Sequence, residues 1–282
     1  MTAALINGKE IAENLRERMK KDVIKLNEQG IHPHLTVIII GDDPASHSYV
    51  RGKEKASKQV GIQSEIIQKE TTITEEALLK EIERLNQTSH VHGILVQLPL
   101  PDHIDEQKVI EAIDPTKDVD GFHPINVGKM MTNQDTFYPC TPFGIVHMLK
   151  EKEIPIEGQH VVIIGRSNIV GKPVGQLLLN ENATVTYCHS RTKNLKKLTN
   201  QADILIVAIG KMHVVDASYI KEGAVIIDVG VNRNDEGKLT GDVDFAAVEE
   251  KASFITPVPR GVGPMTITML LYNTIKAAKG QQ

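Results

Sequence analysis

Cysteine is scarce: Cys140 and Cys188 are the only two in 282 residues, and no C-x-x-C spacing occurs. That excludes a disulfide framework and a cysteine-based zinc or redox centre, and leaves reduced thiols as the expectation. Tryptophan is absent, which constrains function little. No apolar run approaches the roughly 20 residues of a membrane span, and the N-terminus lacks a signal-peptide core, so a cytoplasmic protein is expected. A formal net charge of −4 supplies no basic field, which argues against nucleic acid and acidic membrane surfaces as partners. His90 and His92 share a face at strand spacing, but no third ligand lies near them and no metal is expected. Neither an internal repeat nor a low-complexity segment interrupts the chain.

What is present is ordinary folded-protein material, with 40% hydrophobic and 24% charged residues in a chain long enough for two domains. The organising stretch runs from Val161 to Gly175, VVIIGRSNIVGKPVG. Its apolar run, broken by Gly165 and followed by Gly171 and Gly175, predicts a buried parallel strand, a glycine turn and a helix start. Backbone N–H groups and the positive end of the helix dipole would there face a pyrophosphate. The spacing is not the usual G-x-G-x-x-G, since Arg166 fills the second slot, so the motif alone is also compatible with a plain strand-to-helix turn. A second strand, 183–188, ends in His189-Ser190-Arg191-Thr192, where a Rossmann fold meets the adenosine ribose. No carboxylate stands there to bind a free 2′-OH, while Ser190, Arg191 and Arg166 offer donors and charge to a 2′-phosphate, which favours NADP over NAD. Strands over 203–210 and 224–230 complete a four-stranded parallel half.

The first 120 residues alternate helix and strand as a second α/β unit. Helices are expected over 8–29, 45–60, 74–85 with Thr74 as N-cap, and 106–113, with strands at 35–40, 64–68 and 91–97. Leu98-Pro99-Leu100-Pro101 ends regular structure at a place where a cis bond is allowed. A connecting helix is expected over 143–152. The breaker-rich loop Pro257-Val258-Pro259-Arg260-Gly261 precedes an apolar helix, 265–278, which needs a groove that the N-terminal domain would supply.

Tyr49 and Lys53 lie on one face of the helix over 45–60. Gly52 between them breaks helix propensity, as a close approach of ligand to backbone would require. Arg51, Lys55 and Lys58 crowd the segment with positive charge, which would lower the pKa of Lys53 if it is also buried, and such a lysine can shuttle a proton. Spacing alone favours a solvated helix face. Gln97, at the end of a central strand, is placed to orient a neighbour or to cap. Asp120, in the turn Asp118-Val119-Asp120-Gly121, suits either a local Asx bond or a heterocycle with adjacent N–H donors.

Ser48-Tyr-Val-Arg-Gly-Lys53, Gly93-Ile-Leu-Val-Gln-Leu-Pro-Leu-Pro101, Lys117-Asp-Val-Asp-Gly-Phe122, Gly165-Arg-Ser-Asn-Ile-Val-Gly-Lys-Pro173 and Gly261-Val-Gly-Pro-Met-Thr266 together resemble the bifunctional methylenetetrahydrofolate dehydrogenase and methenyltetrahydrofolate cyclohydrolase family over nearly the whole chain. The resemblance implies oxidation of 5,10-methylenetetrahydrofolate with NADP, then hydrolysis to 10-formyltetrahydrofolate. It makes Lys53 the catalytic lysine, Tyr49 the ring stacked on the pterin, Gln97 the residue that positions the lysine, and Asp120 the holder of the pterin edge. Val96, Leu98, Pro259, Gly261, Val262 and Gly263 join the folate contacts. Gly165, Arg166, Ser167, Gly171, Ser190, Arg191 and Val231 meet NADP. The implied fold is two α/β domains: a catalytic domain of residues 1–140 plus 262–282, and a Rossmann-like domain of residues 141–261, with the C-terminal helix packing back on the first. A homodimer through the nucleotide-binding domains, with folate between domains, is likewise implied. One departure stands out: the usual Pro-Gly-Gly is Pro259-Arg260-Gly261 here. If that position needs a positive φ, Arg260 is strained; if not, its guanidinium is available to a folate glutamate tail. A dehydrogenase using NAD alone, or a silent NADP-binding sensor, are the other readings of the same residues.

Overall fold

The computed structural model describes residues 2–280. Among them, in chain order, are β1 (Ala4–Leu5), α1 (Gly8–Glu28), β2 (His34–Ile40), α2 (Pro44–Val60), β3 (Gln63–Lys69), α3 (Glu75–Asn86), β4 (Gly93–Val96), α4 (Glu106–Ala112) and α5 (Pro124–Met131). Then follow α6 (Cys140–Glu151), β5 (His160–Ile164), α7 (Gly171–Asn180), β6 (Thr184–Cys188), α8 (Leu195–Thr199), β7 (Ile204–Val207), β8 (Val225–Asp228), β9 (Asn232–Arg233), β10 (Leu239–Thr240), α9 (Phe245–Val248), β11 (Phe254–Ile255) and α10 (Val262–Gly280). Two compact units result: a first unit of Asn14–Tyr138 with Ile267–Gln282, and a second of Met1–Glu13 with Pro139–Thr266.

The first unit is built on a parallel sheet of order β3-β2-β4. Strand β2, buried at every position, reads HLTVIII because both of its faces are covered. Helix α3 carries Leu78, Ile82 and Leu85 as a buried stripe at helical spacing, and its N-cap is Thr74, whose hydroxyl accepts from the Ala77 N–H at 3.2 Å. Each such buried side chain stabilises the unit by roughly 1.5–3 kcal/mol, so Ile82→Ala would cost about 2–5 kcal/mol. From Ile267 onward α10 belongs to this unit. Met269, Leu270 and Ile275 are buried, and the Asn273 amide donates to the Val119 and Tyr138 carbonyls at 2.8 and 3.1 Å.

One expectation changes here. Strand β4 is an edge, not a central strand: its open side carries the bridge Ile94↔Asp118, and the central position belongs to β2. Helix α5 lies in a stretch for which the sequence predicts no element. His123 caps it, with Nδ1 accepting from Ile125 N–H at 3.1 Å, and Pro124 takes the first helical position, where a missing N–H costs nothing.

The second unit holds a parallel sheet of order β1-β11-β8-β7-β5-β6, six strands where the sequence predicts four. Phe254 pairs with Val225 and Ala4 with Phe254, so β11 and β1 extend the sheet beyond β8. Two-residue strands are too short for periodicity to announce them. Residues 1–13 consequently join this unit rather than the first, and the later boundary falls inside α10, after Thr266. Starting from β5, the chain places β6 on one side and β7, β8 and β11 on the other. The direction of winding reverses between β5 and β7, and the crevice beyond the C-terminal ends of such a pair is where α/β sheets bind ligands.

Candidate active site

The end of β2 leads through Gly41 to Asp43, whose side chain accepts from Ser46 N–H at 2.7 Å and starts α2 with Pro44 in its first turn. Two turns into α2, Lys53 points inward and is 4% exposed, while Arg51, Lys55 and Lys58 are exposed and Lys58 pairs with Glu54 at 2.7 Å. The crowded cations are thus a solvated face, and Lys53 is not part of it. Its Nζ donates to Gln97 Oε1 at 2.9 Å and lies 4.6 Å from the centre of the Tyr49 ring. Gln97 follows β4 directly; its N–H donates to Ile38 O at 2.8 Å and its Nε2 to Leu98 O at 2.7 Å. With its amide nitrogen so engaged, the oxygen is the atom presented to the lysine. A Cβ on Gly52 would lie 3.4 Å from Ile267 Cδ1, an ordinary contact, so packing of α10 does not by itself require glycine there.

Beside this pair a small apolar recess is lined by Val96, Leu98, Val109, Phe122 and the half-buried Asp120. The carboxylate that builds the turn is Asp118, to which the sequence alone assigns no role. Buried, it accepts from the N–H groups of Gly121, Phe122 and His123 at 3.1, 3.2 and 2.8 Å and from the Asn126 amide at 2.8 Å. Burial pushes its acid up, and the Asn126 and backbone donors pull the other way. Lys117, also buried, donates to the carbonyls of Leu85, Asn86 and Thr88 at 3.1, 2.8 and 2.8 Å, closing the end of α3.

In the second unit the turn after β5 has the bareness a dinucleotide needs. Gly165 has φ 134°, and a Cβ on it would strike the Ala208 carbonyl oxygen. A Cβ on Gly171 would lie 2.6 Å from Gly165 O, so the helix start presses on the turn. The sequence predicts that the first-turn donors of α7 are left for a phosphate, and the structure differs. Ser167 takes them: its Oγ accepts from Val170 and Gly171 N–H at 3.2 Å each, and its carbonyl from Lys172 N–H at 3.0 Å. The N–H groups of Arg166, Ser167, Asn168 and Ile169 remain, with no acceptor bonded to them among the described residues. Arg166, Ser190 and Arg191 are exposed, and Val231 is 63% exposed, a large apolar side chain held in solvent. Bare backbone donors, two arginines and an outward valine fit a phosphorylated dinucleotide.

The loop before α10 belongs by contact to the second unit. Val258-Pro259 is cis, Arg260 has φ 85°, and the Arg260 carbonyl accepts from Lys9 N–H at 3.0 Å. Gly261 and Val262 are buried, Gly263 is half-buried and Pro259 exposed. A Cβ on Gly261 would meet Pro257 O at 2.5 Å. The open alternative for Arg260 is therefore resolved toward a left-handed backbone. Among the described residues no three His, Cys, Asp or Glu side chains converge as a metal site. His34 and His90 stack at 5.2 Å, and His92 Nδ1 accepts from His34 N–H at 3.2 Å.

Family models match both parts of the chain: tetrahydrofolate dehydrogenase/cyclohydrolase, catalytic domain, over residues 6–120, and tetrahydrofolate dehydrogenase/cyclohydrolase, NAD(P)-binding domain, over residues 139–282. A bifunctional protein FolD of Oceanobacillus iheyensis is 68% identical over 278 residues, covering 99% of this chain and 98% of that protein. The solved FolD methylenetetrahydrofolate dehydrogenase/cyclohydrolase of Campylobacter jejuni is 49% identical with a TM-score of 0.98, covering 99% of this chain and 100% of that one. The Trypanosoma brucei methylenetetrahydrofolate dehydrogenase-cyclohydrolase, solved with NADP cofactor and inhibitor, is 37% identical with a TM-score of 0.95, covering 99% of this chain and 98% of that one.

Proposed function

Because the chain belongs to the tetrahydrofolate dehydrogenase/cyclohydrolase family, we infer that it oxidises 5,10-methylenetetrahydrofolate with NADP and hydrolyses the methenyl product to 10-formyltetrahydrofolate. The observation that carries the assignment of residues is the buried Lys53 amine, bonded to the Gln97 amide oxygen and set over the Tyr49 ring. When bound, NADP supplies a hydride acceptor. Its holders are the turn Gly165 to Ser167 with Gly171, the cationic pair Arg166 and Arg191, Ser190 and Val231. The chain's own share of the oxidation is placement, which alone removes a large part of a barrier. Tyr49 offers a ring face to the pterin, Asp120 an acceptor for its edge N–H groups, and Val96 and Leu98 apolar walls. Pro259, Gly261, Val262 and Gly263 are assigned to the same substrate on the likeness of their motif.

Hydrolysis asks for proton transfer. Water attacks the methenyl carbon; of its two protons one ends on N5 as the carbon–N5 bond breaks and the other is released. Lys53 accepts a proton from the attacking water and returns one to N5. A neutral amide partner suits that task, because a carboxylate in the place of Gln97 would pin the charge on the ammonium.

A homodimer through the second unit is part of this reading, supported by the exposed apolar side chains Ile169, Leu179 and Tyr187 on and around α7 and the edge strand β6. A cytoplasmic site of action and a metal-free reaction complete it; no helix among the described residues is long and apolar enough to cross a membrane. The test is to mix the protein with methylenetetrahydrofolate and NADP and follow NADPH, methenyltetrahydrofolate and its hydrolysis. Equal yields of NADPH and 10-formyltetrahydrofolate are expected. NADPH with no hydrolysis, or neither product, would overturn the assignment.

A further inference from the structure

At the end of β8 and in the loop after β10 lie two buried carboxylates, Asp228 and Asp242, whose side chains meet the residues assigned above only by way of the backbone they hold. Asp242 is fully buried; its Oδ2 accepts from the N–H groups of Ile209 and Gly210 at 2.7 and 2.9 Å, and its Oδ1 from Lys211 N–H and Asn232 Nδ2, both at 2.9 Å. Asp228, 4% exposed, accepts from Gly230, Asp242 and Val243 N–H, each at 3.0 Å. The two are interlocked with glycines: a Cβ on Gly230 would strike the Asp242 carboxylate, and one on Gly241 the Asp228 carboxylate. The loop 208–211 is the far wall of the crevice at the β5/β7 reversal, since Ala208 O is the atom that Gly165 abuts. Val231 sits between the two grips, with Gly230 tied to Asp228 and Asn232 tied to Asp242, and its apolar side chain is thereby fixed in solvent.

We propose that Asp242, braced by Asp228, is the positioning residue for the dinucleotide: one carboxylate fixes both the crevice wall at residues 209–211 and the outward Val231, and so sets cofactor affinity without touching the cofactor. This rests on the proposed function. Four donors converge on Asp242, and charge-assisted bonds of this kind are about twice as strong as neutral ones. An amide in its place turns one acceptor into a donor that faces two N–H groups whichever way it is flipped. The loops then lose their common anchor, while Lys53 and Gln97, in the other unit, keep theirs.

Hydrolysis of methenyltetrahydrofolate needs no dinucleotide, so it reports on folding and on the lysine site independently. For Asp242→Asn, calorimetry with NADP should show Kd raised by about tenfold or more, the loss of one or two charged hydrogen bonds. KM for NADP should rise more than kcat falls, and hydrolysis of methenyltetrahydrofolate without NADP should stay within about twofold of the parent. Should that variant fail to fold, Asn232→Ala removes only the cross-link to the Val231 loop, and a severalfold rise in Kd with hydrolysis intact is expected. Unchanged NADP affinity in whichever of the two folds, or hydrolysis falling in step with it, overturns the inference. A parent protein that neither binds NADP nor hydrolyses the methenyl compound would instead overturn the proposed function.

Discussion

The two units are alike in plan and differ in how they treat cations. Each is built on a parallel sheet, with Gln97 after a strand and Tyr49 and Lys53 on helix α2 in the first, and Gly165, Ser190 and Val231 beyond strand ends in the second. The first buries two cations, Lys53 against a neutral amide and Lys117 against three carbonyls, beside the backbone-holding Asp118. The second buries anions, Asp228 and Asp242, which hold backbone, and leaves its cations Arg166 and Arg191 in solvent. Lys53 must trade protons under the proposed function, and it is kept dry against a partner that does not fix its charge. An arginine that reads a phosphate only needs to remain charged and reachable, which an exposed loop provides. Burial of charge thus serves chemistry at Lys53, and rigidity at Lys117, Asp118, Asp228 and Asp242.

The sharpest way to break this comparison is Lys53→Met, which keeps length and apolar packing. Methenyltetrahydrofolate hydrolysis should fall about 100-fold or more, the usual cost of a lost general acid-base group, and dehydrogenation should fall less, so the methenyl compound accumulates. Gln97→Ala should act in the same direction, and the double variant should be no worse than Lys53→Met alone, because the amide acts through the amine. Parent-rate hydrolysis by Lys53→Met would return the lysine to a packing role.

Next in size is Arg191→Ala. The guanidinium is exposed, and the loop that carries it is held by other atoms: Arg191 N–H donates to His189 Nδ1 at 3.2 Å and His189 N–H to Thr192 Oγ1 at 2.8 Å. Its removal should leave the loop intact and cost NADP about 1.5–3 kcal/mol of binding while NAD is little affected. Equal losses for both dinucleotides would show that the side chain does not read the 2′-phosphate.

Most of the plan is legible in the residues. The apolar run at Val161 to Ile164 and the glycines after it predict β5, the turn and α7; Thr74 with Glu75 and Glu76 predicts the start of α3. Tyr49 and Lys53, four apart on one helix, do meet through ring and amine. What stayed hidden depends on partners distant in sequence. Strands β1 and β11 are defined by their pairings, β11 with β8 and β1 with β11, and β4 reads as central because its apolar content does not say which side is open. Asp118 and Asp242 look like turn residues, although a signal was available: Asp118 precedes a glycine turn, and Asp242 follows a glycine that a buried carboxylate requires to be bare.

A smaller effect separates the units by pH. Burial, with the charge of His90 or His34 adding to it, pushes the His34 and His92 imidazoles below their ordinary 6.5. Their contribution to stability is present above that value and is lost as pH falls through the depressed folded values. Asp228 runs the other way: burial raises it from 3.8 to about 6, so its contribution is complete below 3.8 and lost as pH rises through about 6. Acidification from pH about 7.5 to about 5.5 should lower amide protection, taken relative to the intrinsic exchange rate at each pH, in β2 and β4 but not in β7 and β8. His92→Gln removes one of these titrations while its oxygen can still accept from His34 N–H, a bond worth about 1 kcal/mol, and should narrow the difference. Equal loss of protection in both sheets would show that the histidines do not set it.

The smallest expected effect is at Arg260, where a side chain occupies a backbone conformation suited to glycine. Its φ of 85° lies in the left-handed region, which costs a non-glycine residue about 1–3 kcal/mol. The conformation is held in place, because the Arg260 carbonyl receives Lys9 N–H at the start of α1 and a Cβ on the next residue, Gly261, would meet Pro257 O. Arg260→Gly relieves the strain but adds conformational freedom to the unfolded chain, worth about 0.4–1 kcal/mol in the opposite sense. The net should be a gain of about 1 kcal/mol, seen as a rise of a few degrees at most in the thermal midpoint of the second unit. Hydrolysis separates binding from chemistry: this loop is assigned to the folate, so KM for methenyltetrahydrofolate is where a change would show, whereas kcat depends on Lys53 and should be unchanged. A midpoint that falls would mean that the arginine side chain contributes more to the fold than its backbone costs, and a fall in hydrolysis kcat would mean that the loop does more than hold the substrate.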